Sequence, residues 1–130
     1  MTKEKPKGET LIHEESSRNV IGAAMEVLNH LKPGLDEKVY ENALALEVQE
    51  RGCTVEQQTR FPVRYKDHLV GTLVPDMIVD NLVIVDAKVV SEFNESHVAQ
   101  MIGYLAITGL KLAILLNFRN AQLEWKRVVR

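Results

Sequence analysis

The apolar positions change period along the chain, and each change marks an element. Val20, Ile21, Ala24, Val27, Leu28 and Leu31 follow the i, i+3, i+4, i+7 spacing of one helix face. This predicts a helix from about Ser17, capped by Ser16 or Ser17 and stopped by Lys32-Pro33-Gly34. A second helix is expected from an N-cap at Asp36 to Gly52, with Val39, Tyr40, Ala43, Leu44 and Leu46 on its apolar face. The period then falls to two. Thr54 to Tyr65 reads as a strand, demoted to an edge by Pro62, and Lys66-Asp67-His68 as a turn. Leu69 to Val79 reads as the next strand, ended by Asp80-Asn81. Leu82 to Val85 is wholly apolar, as suits a strand buried on both faces. Val98, Met101, Ile102, Leu105 and Ala106 are helical again up to Gly109. Leu112 to Leu116 is a second apolar strand, Asn117 to Asn120 turn the chain, and Leu123, Trp125, Arg127 and Val129 share one face of a last strand. The order α-α-β-β-β-α-β-β, an antiparallel meander followed by a helical crossover, predicts an α/β fold with a mixed sheet and helices on its faces.

Composition narrows the class. The chain has 130 residues, 45% apolar and 26% charged, which fits a single globular domain. Residues 1–15 are polar and read as a mobile tail, leaving 16–130 as the domain. No stretch approaches the roughly 18 apolar residues of a membrane span, and the N-terminal segment has no apolar core of a secretory signal. The lone cysteine, Cys53, forms no internal disulfide, so a reducing cytoplasm is expected. The net charge of −2 is unlike a basic nucleic-acid binder, but it is uneven. Residues 1–50 carry 6 basic and 10 acidic side chains, and residues 51–130 carry 10 and 8.

Three charged residues stand where burial is costly. Asp86 and Lys88 flank Ala87 at the end of the apolar strand and project to one face. Asp76 follows Pro75 in the preceding strand. A two-residue turn at Asp80-Asn81 pairs position 76 with 85; a three-residue loop or a bulge sets Asp76 beside Asp86. Two adjacent carboxylates repel unless a cation intervenes, and oxygen ligands without His or Cys favour Mg²⁺ or Mn²⁺. Lys88 is then suited to orient water or stabilise charge on a phosphate. Glu37, in the first turn of the second helix, and Glu41 one turn on are further acids within reach. The bland alternative is an ordinary Asp–Lys ion pair at a strand end and a solvated helix glutamate.

The combined pattern resembles a known family. Pro75-Asp76, then Asp86-Ala87-Lys88, looks like the signature of the PD-(D/E)XK, or restriction-endonuclease-like, nucleases. Gly34-Leu35-Asp36-Glu37-Lys38-Val39-Tyr40 is similar to the motif that names the GxxExxY proteins, a bacterial and archaeal branch of that superfamily. The resemblance runs from about Asn19 to Val129. It implies a restriction-endonuclease-like mixed sheet flanked by helices, with a metal held by Asp76 and Asp86, the carbonyl of Ala87 and the helix acid Glu37. Gln100-x-x-x-Tyr104 looks like the motif that in RecB-like nucleases supports the site or contacts DNA. The sequence departs from many relatives at Asp86 (a glutamate there), Lys32 (a glycine) and Leu28 (a histidine).

The expected function is therefore Mg²⁺- or Mn²⁺-dependent hydrolysis of phosphodiester bonds in DNA. A non-catalytic module that keeps the nuclease fold and binds nucleic acid or protein is the alternative. A chain this small carries no separate targeting domain, so a second copy or a partner protein is a candidate for gripping DNA. Arg60, Arg64 and Lys66 share parity and form either a phosphate-binding stripe or a solvated face. His68 and His97 lack metal-ligand spacing and read as surface residues.

Overall fold

In the computed structural model, which describes residues 12–130, the elements run α1 (Glu14–Leu31), α2 (Glu37–Glu50), β1 (Val55–Gln57), β2 (Phe61–Tyr65), β3 (His68–Leu73), β4 (Met77–Val79), β5 (Val83–Lys88), α3 (Glu95–Thr108), β6 (Leu112–Asn117) and β7 (Glu124–Val129). The tail expected over residues 1–15 lies, for residues 1–11, outside the described residues; Glu14 and Glu15 already form the first turn of α1. Five strands make one mixed sheet in the order β1-β4-β5-β6-β7, and β2 and β3 pair only with each other. β5 and β6 are parallel, joined by the crossover helix α3; the other neighbours in the large sheet are antiparallel.

The fold class is the expected one, but two expected strands are each broken in two. The first stops at Gln58, which takes a left-handed φ of 59°, and resumes at Phe61 as part of the separate hairpin. The second is interrupted by Val74 and Pro75, the latter with no N–H to give a ladder. The observed order is thus α-α-β-β-β-β-β-α-β-β.

Side chains of alternate parity on the central strands feed two cores. Met77, Val79, Val83, Val85, Leu112, Ile114 and Leu116 pack with α1 and α2 on one face. Ile78, Ile84, Ala113 and Leu115 pack with Met101 and Leu105 of α3 on the other. At some 1.5–3 kcal/mol for each buried aliphatic side chain, this double coverage is what fixes the register. Of the residues expected on one face of the last strand, Leu123 is buried just before β7 and Arg127 is half-buried, while Trp125 and Val129 are exposed; Val128, of the other parity, is buried.

The serines expected to cap α1 lie inside its first turn and are buried. Ser16 Oγ donates to Asp80 Oδ2 at 2.7 Å, and Ser17 Oγ accepts from Arg127 at 2.6 Å. Asp80 also accepts the Thr54 N–H at 3.0 Å. Burial opposes its charge, yet these bonds hold its carboxyl below the usual carboxylate range. One carboxylate thereby ties the β4–β5 loop to α1 and to the start of β1. No helix among the described residues is long and apolar enough to cross a membrane.

Candidate active site

The β4–β5 connection decides where the acids fall. Val79 pairs with Val83 across a three-residue loop, Asp80-Asn81-Leu82. Asp80 and Asn81 both take left-handed φ values, 55° and 57°, a conformation these two residue types tolerate. With Met77 opposite Val85, the next step of the ladder sets Asp76 opposite Asp86. Of the two registers compatible with the sequence, this is the one that joins the carboxylates.

Asp76 stands just before β4, and its carboxyl is pushed up to about 7. Burial is the largest cause, followed by the charge and contact of Asp86 and the charge of Glu41; the Ala87 N–H pulls the other way. Asp86 is 5% exposed. Its buried Oδ2 is ion-paired with Lys88 Nζ at 2.7 Å. Burial weakens the Lys88 ammonium, but the ion pair with Asp86 and the charges of Glu37 and Asp76 more than offset it and raise its pKa.

Asp76, Asp86 and Lys88 share the parity of Ile78 and Ile84, so they open toward α3. From that helix Gln100 Oε1 accepts from Lys88 Nζ at 3.4 Å, and Gln100 Nε2 donates to the Tyr104 hydroxyl at 3.2 Å. Burial, then the negative charges of Asp86 and Asp76, raise the Tyr104 pKa. The residues 86, 88, 100 and 104 therefore form one connected line.

The helix acids arrive from the opposite face, on α2. Glu37 Oε2 accepts the Val89 N–H at 3.1 Å, just past the end of β5. Glu41 is 4% exposed. Its Oε2 accepts from Lys38, Gln57 and Gln58 at 3.1, 2.9 and 3.2 Å. Its charge is felt at Asp76. The turn that presents these acids is built by its own motif. Gly34 takes a φ of 113°, which favours glycine. Tyr40 is fully buried, stacks on Phe118 with centroids 4.8 Å apart, donates to the Lys32 carbonyl at 2.6 Å and accepts the Leu35 N–H at 3.1 Å.

Three further residues escaped the sequence reading. Asn117, placed by sequence in a turn, is buried at the end of β6 and clasps both the N–H and the carbonyl of Val90 at 3.1 and 2.8 Å. That clasp fixes the chain as it leaves Lys88. Gln57 and Gln58 hold Glu41, and no local pattern announces them. His97 is a capping residue, exchanging hydrogen bonds with Asn94 at the start of α3.

Among the described residues no three His, Cys, Asp or Glu side chains gather into a metal-ligand cluster. The facing pair Asp76 and Asp86 nevertheless fits a divalent cation. Both are hard oxygen donors, both are largely withdrawn from water, and each charge is costly beside the other. A mixed sheet with two acids and a lysine at the paired ends of its central strands defines a restriction-endonuclease-like α/β protein. The sequence agrees over nearly its whole length: residues 14–128 match the PD-(D/E)XK nuclease superfamily, and the chain belongs to it. Nucleases of this superfamily act on nucleic acid and generally use divalent metal ions. A solved alkaline exonuclease (LHK-Exo) from Laribacter hongkongensis is similar in fold. Its TM-score is 0.50 at 14% identity, covering 90% of this chain and 82% of that one. No curated protein matches the chain in sequence.

Proposed function

We propose that this protein is a Mg²⁺- or Mn²⁺-dependent nuclease that hydrolyses phosphodiester bonds in DNA. The observation that carries the reading is the facing pair Asp76 and Asp86, whose charges oppose each other in a buried site, with Lys88 ion-paired beside them. In this reading Asp76 and Asp86 would hold the ion with the Ala87 carbonyl; Glu37, bound to the Val89 N–H and outside direct reach of the pair, would join through water, and Glu41 lends negative charge at Asp76. A divalent ion there supplies Lewis acidity toward the scissile phosphate. Lys88 directs its ammonium protons at the attacking water and at charge developing on the phosphate. Gln100, itself held by the Tyr104 hydroxyl, accepts from the Lys88 ammonium on the α3 side and supports the site.

The test is cleavage of supercoiled and linear duplex DNA in Mg²⁺ and in Mn²⁺, by wild type, Lys88→Ala and Asp86→Asn. The expected result is cleavage by wild type and a loss of about a hundredfold or more in each variant, with unchanged circular dichroism. Cleavage by Lys88→Ala at the wild-type rate removes Lys88 from the chemistry. A wild type that binds neither ion in calorimetry and cuts nothing leaves the non-catalytic module as the reading, with Asp86 and Lys88 a structural ion pair.

A further inference from the structure

Four large apolar side chains are more than 60% exposed among the described residues, and three of them sit on one element. Tyr65, Leu69 and Val70, at 62, 61 and 61%, crowd the end of the β2–β3 hairpin. The hairpin pairs with no other strand, and everything in it from Arg64 to Thr72 is exposed. An isolated two-stranded ribbon is marginal in water. This one is held at its base, where Phe61 packs against the α3-side core. Its two-residue turn, Lys66-Asp67, has both φ values positive, 47° and 67°, as the twist of a tight hairpin demands.

The hairpin leaves and re-enters the sheet at the candidate active site. Its first leg follows Gln58, whose N–H donates to the Asp76 carbonyl at 3.1 Å and whose side chain reaches Glu41 at 3.2 Å. Its second leg leads through Pro75 into Asp76 itself. Five or six residues at about 3.3 Å each carry the tip roughly 17–20 Å from that anchor.

The charge on the arm is opposite to that of the chain. Arg60, Arg64 and Lys66 stand against Asp67 alone, a local +2 on a protein of net −2. Among the described residues none of the three cations makes an ion pair; Lys66 lies over the Tyr65 ring at 5.3 Å. The register pairs Arg64 with Leu69 and Tyr65 with His68, so each face of the tip carries one apolar and one basic or titratable side chain. A second copy of the chain docked hairpin to hairpin brings these cations against their own kind. A phosphate backbone reverses that sign.

We propose that the β2–β3 hairpin is a DNA-gripping arm. Arg60, Arg64 and Lys66 take backbone phosphates of a duplex lying across the Asp76–Asp86 site, and Tyr65, Leu69 and Val70 lie in the adjoining groove against sugars and base edges. The inference rests on the nuclease reading above and adds to it the surface that holds the substrate.

The experiment uses the full chain and a fluorescein-labelled, random-sequence DNA duplex. Anisotropy titrations are run in EDTA and again in Ca²⁺, across a salt series. Removing two phosphate contacts with Arg64→Gln/Lys66→Gln is expected to reduce the slope of log K against log salt by about 1.8. The affinity gap from wild type therefore narrows about twelvefold between 50 and 200 mM salt. A charge-matched control at the far end of the sheet, Lys111→Gln/Arg130→Gln, is expected to keep the wild-type slope. Tyr65→Ser/Leu69→Ser is expected to weaken binding with the slope unchanged, and circular dichroism checks that each variant folds. Three results overturn the arm while wild type still binds. These are wild-type slope and affinity in Arg64→Gln/Lys66→Gln, an equal loss in the control, or dissociation of a protein dimer in sedimentation with duplex affinity intact. A wild type that binds no duplex in either buffer overturns the nuclease reading itself.

Discussion

Replacing Asp76 with Asn removes one of two facing carboxylates, and the structure predicts that the metal-free protein gains stability. Burial and the neighbouring Asp86 lift the Asp76 carboxyl from 3.8 to about 7. An acid raised in the folded state stabilises the fold in its protonated form. That contribution is complete below its unfolded value near 3.8 and is lost as the pH rises through about 7. At full strength the displacement corresponds to about 4 kcal/mol, and partial exposure to solvent brings it to about 2. At pH 8 in EDTA, Asp76→Asn is thus expected to be about 2 kcal/mol more stable than wild type. For a chain of this length that is a rise of about 8 °C in Tm. At pH 5, part of the way down the titration, the gain shrinks to under about 1 kcal/mol. A divalent ion at a hundredfold excess over its Kd returns about 2.7 kcal/mol to wild type and should reverse the order. Differential scanning fluorimetry over pH 4–9, with EDTA or Mn²⁺, reads all of this. A variant no more stable than wild type at pH 8 in EDTA, or a gain that is flat with pH, refutes the electrostatic account of the site.

Gln100→Ala removes the acceptor 3.4 Å from Lys88 Nζ and is expected to lower kcat for DNA about tenfold. KM should stay near its wild-type value, which separates positioning of Lys88 from loss of substrate contact in steady-state kinetics. Tyr40→Phe strips the hydroxyl from its bonds to Lys32 and Leu35 and is expected to cost about 1–2 kcal/mol in urea denaturation. Activity per folded molecule should be unchanged.

Where pattern and burial coincide, the sequence reading was close. The wholly apolar runs in β5 and β6 are buried on both faces, so no other element suits them. The helices announced themselves by period, and α3 ends at Gly109 in the left-handed conformation that a glycine cap supplies. The strand breaks were illegible for a physical reason. Glu56 to Arg60 are all polar, so the apolar alternation lapses there without a Gly or Pro to mark the break, and the backbone turns at Gln58. The register of Asp76 was open because Asp80-Asn81 suits a two-residue turn as well as two positions of a three-residue loop. On the acidic side, Glu37 and Glu41 share a helix face, and periodicity ranks neither. What distinguishes them is long-range: Glu37 meets Val89 and Glu41 meets Gln57 and Gln58. Asn117 misled because asparagine is a turn residue by habit, while its place here is set by the unpaired backbone of Val90.

The three residues between Val79 and Val83 bear on how this chain can change over evolutionary time. Deleting or adding one residue there shifts the strand by half a period and turns Asp86 and Lys88 to the opposite face of the sheet. The arm obeys no such constraint, since β2 and β3 answer to no register but their own. Paired insertions in the hairpin lengthen or shorten the reach toward nucleic acid and leave both acids in place. Descendants of such a protein are therefore free to vary the length of what they grip, while the spacing that aligns their carboxylates is frozen.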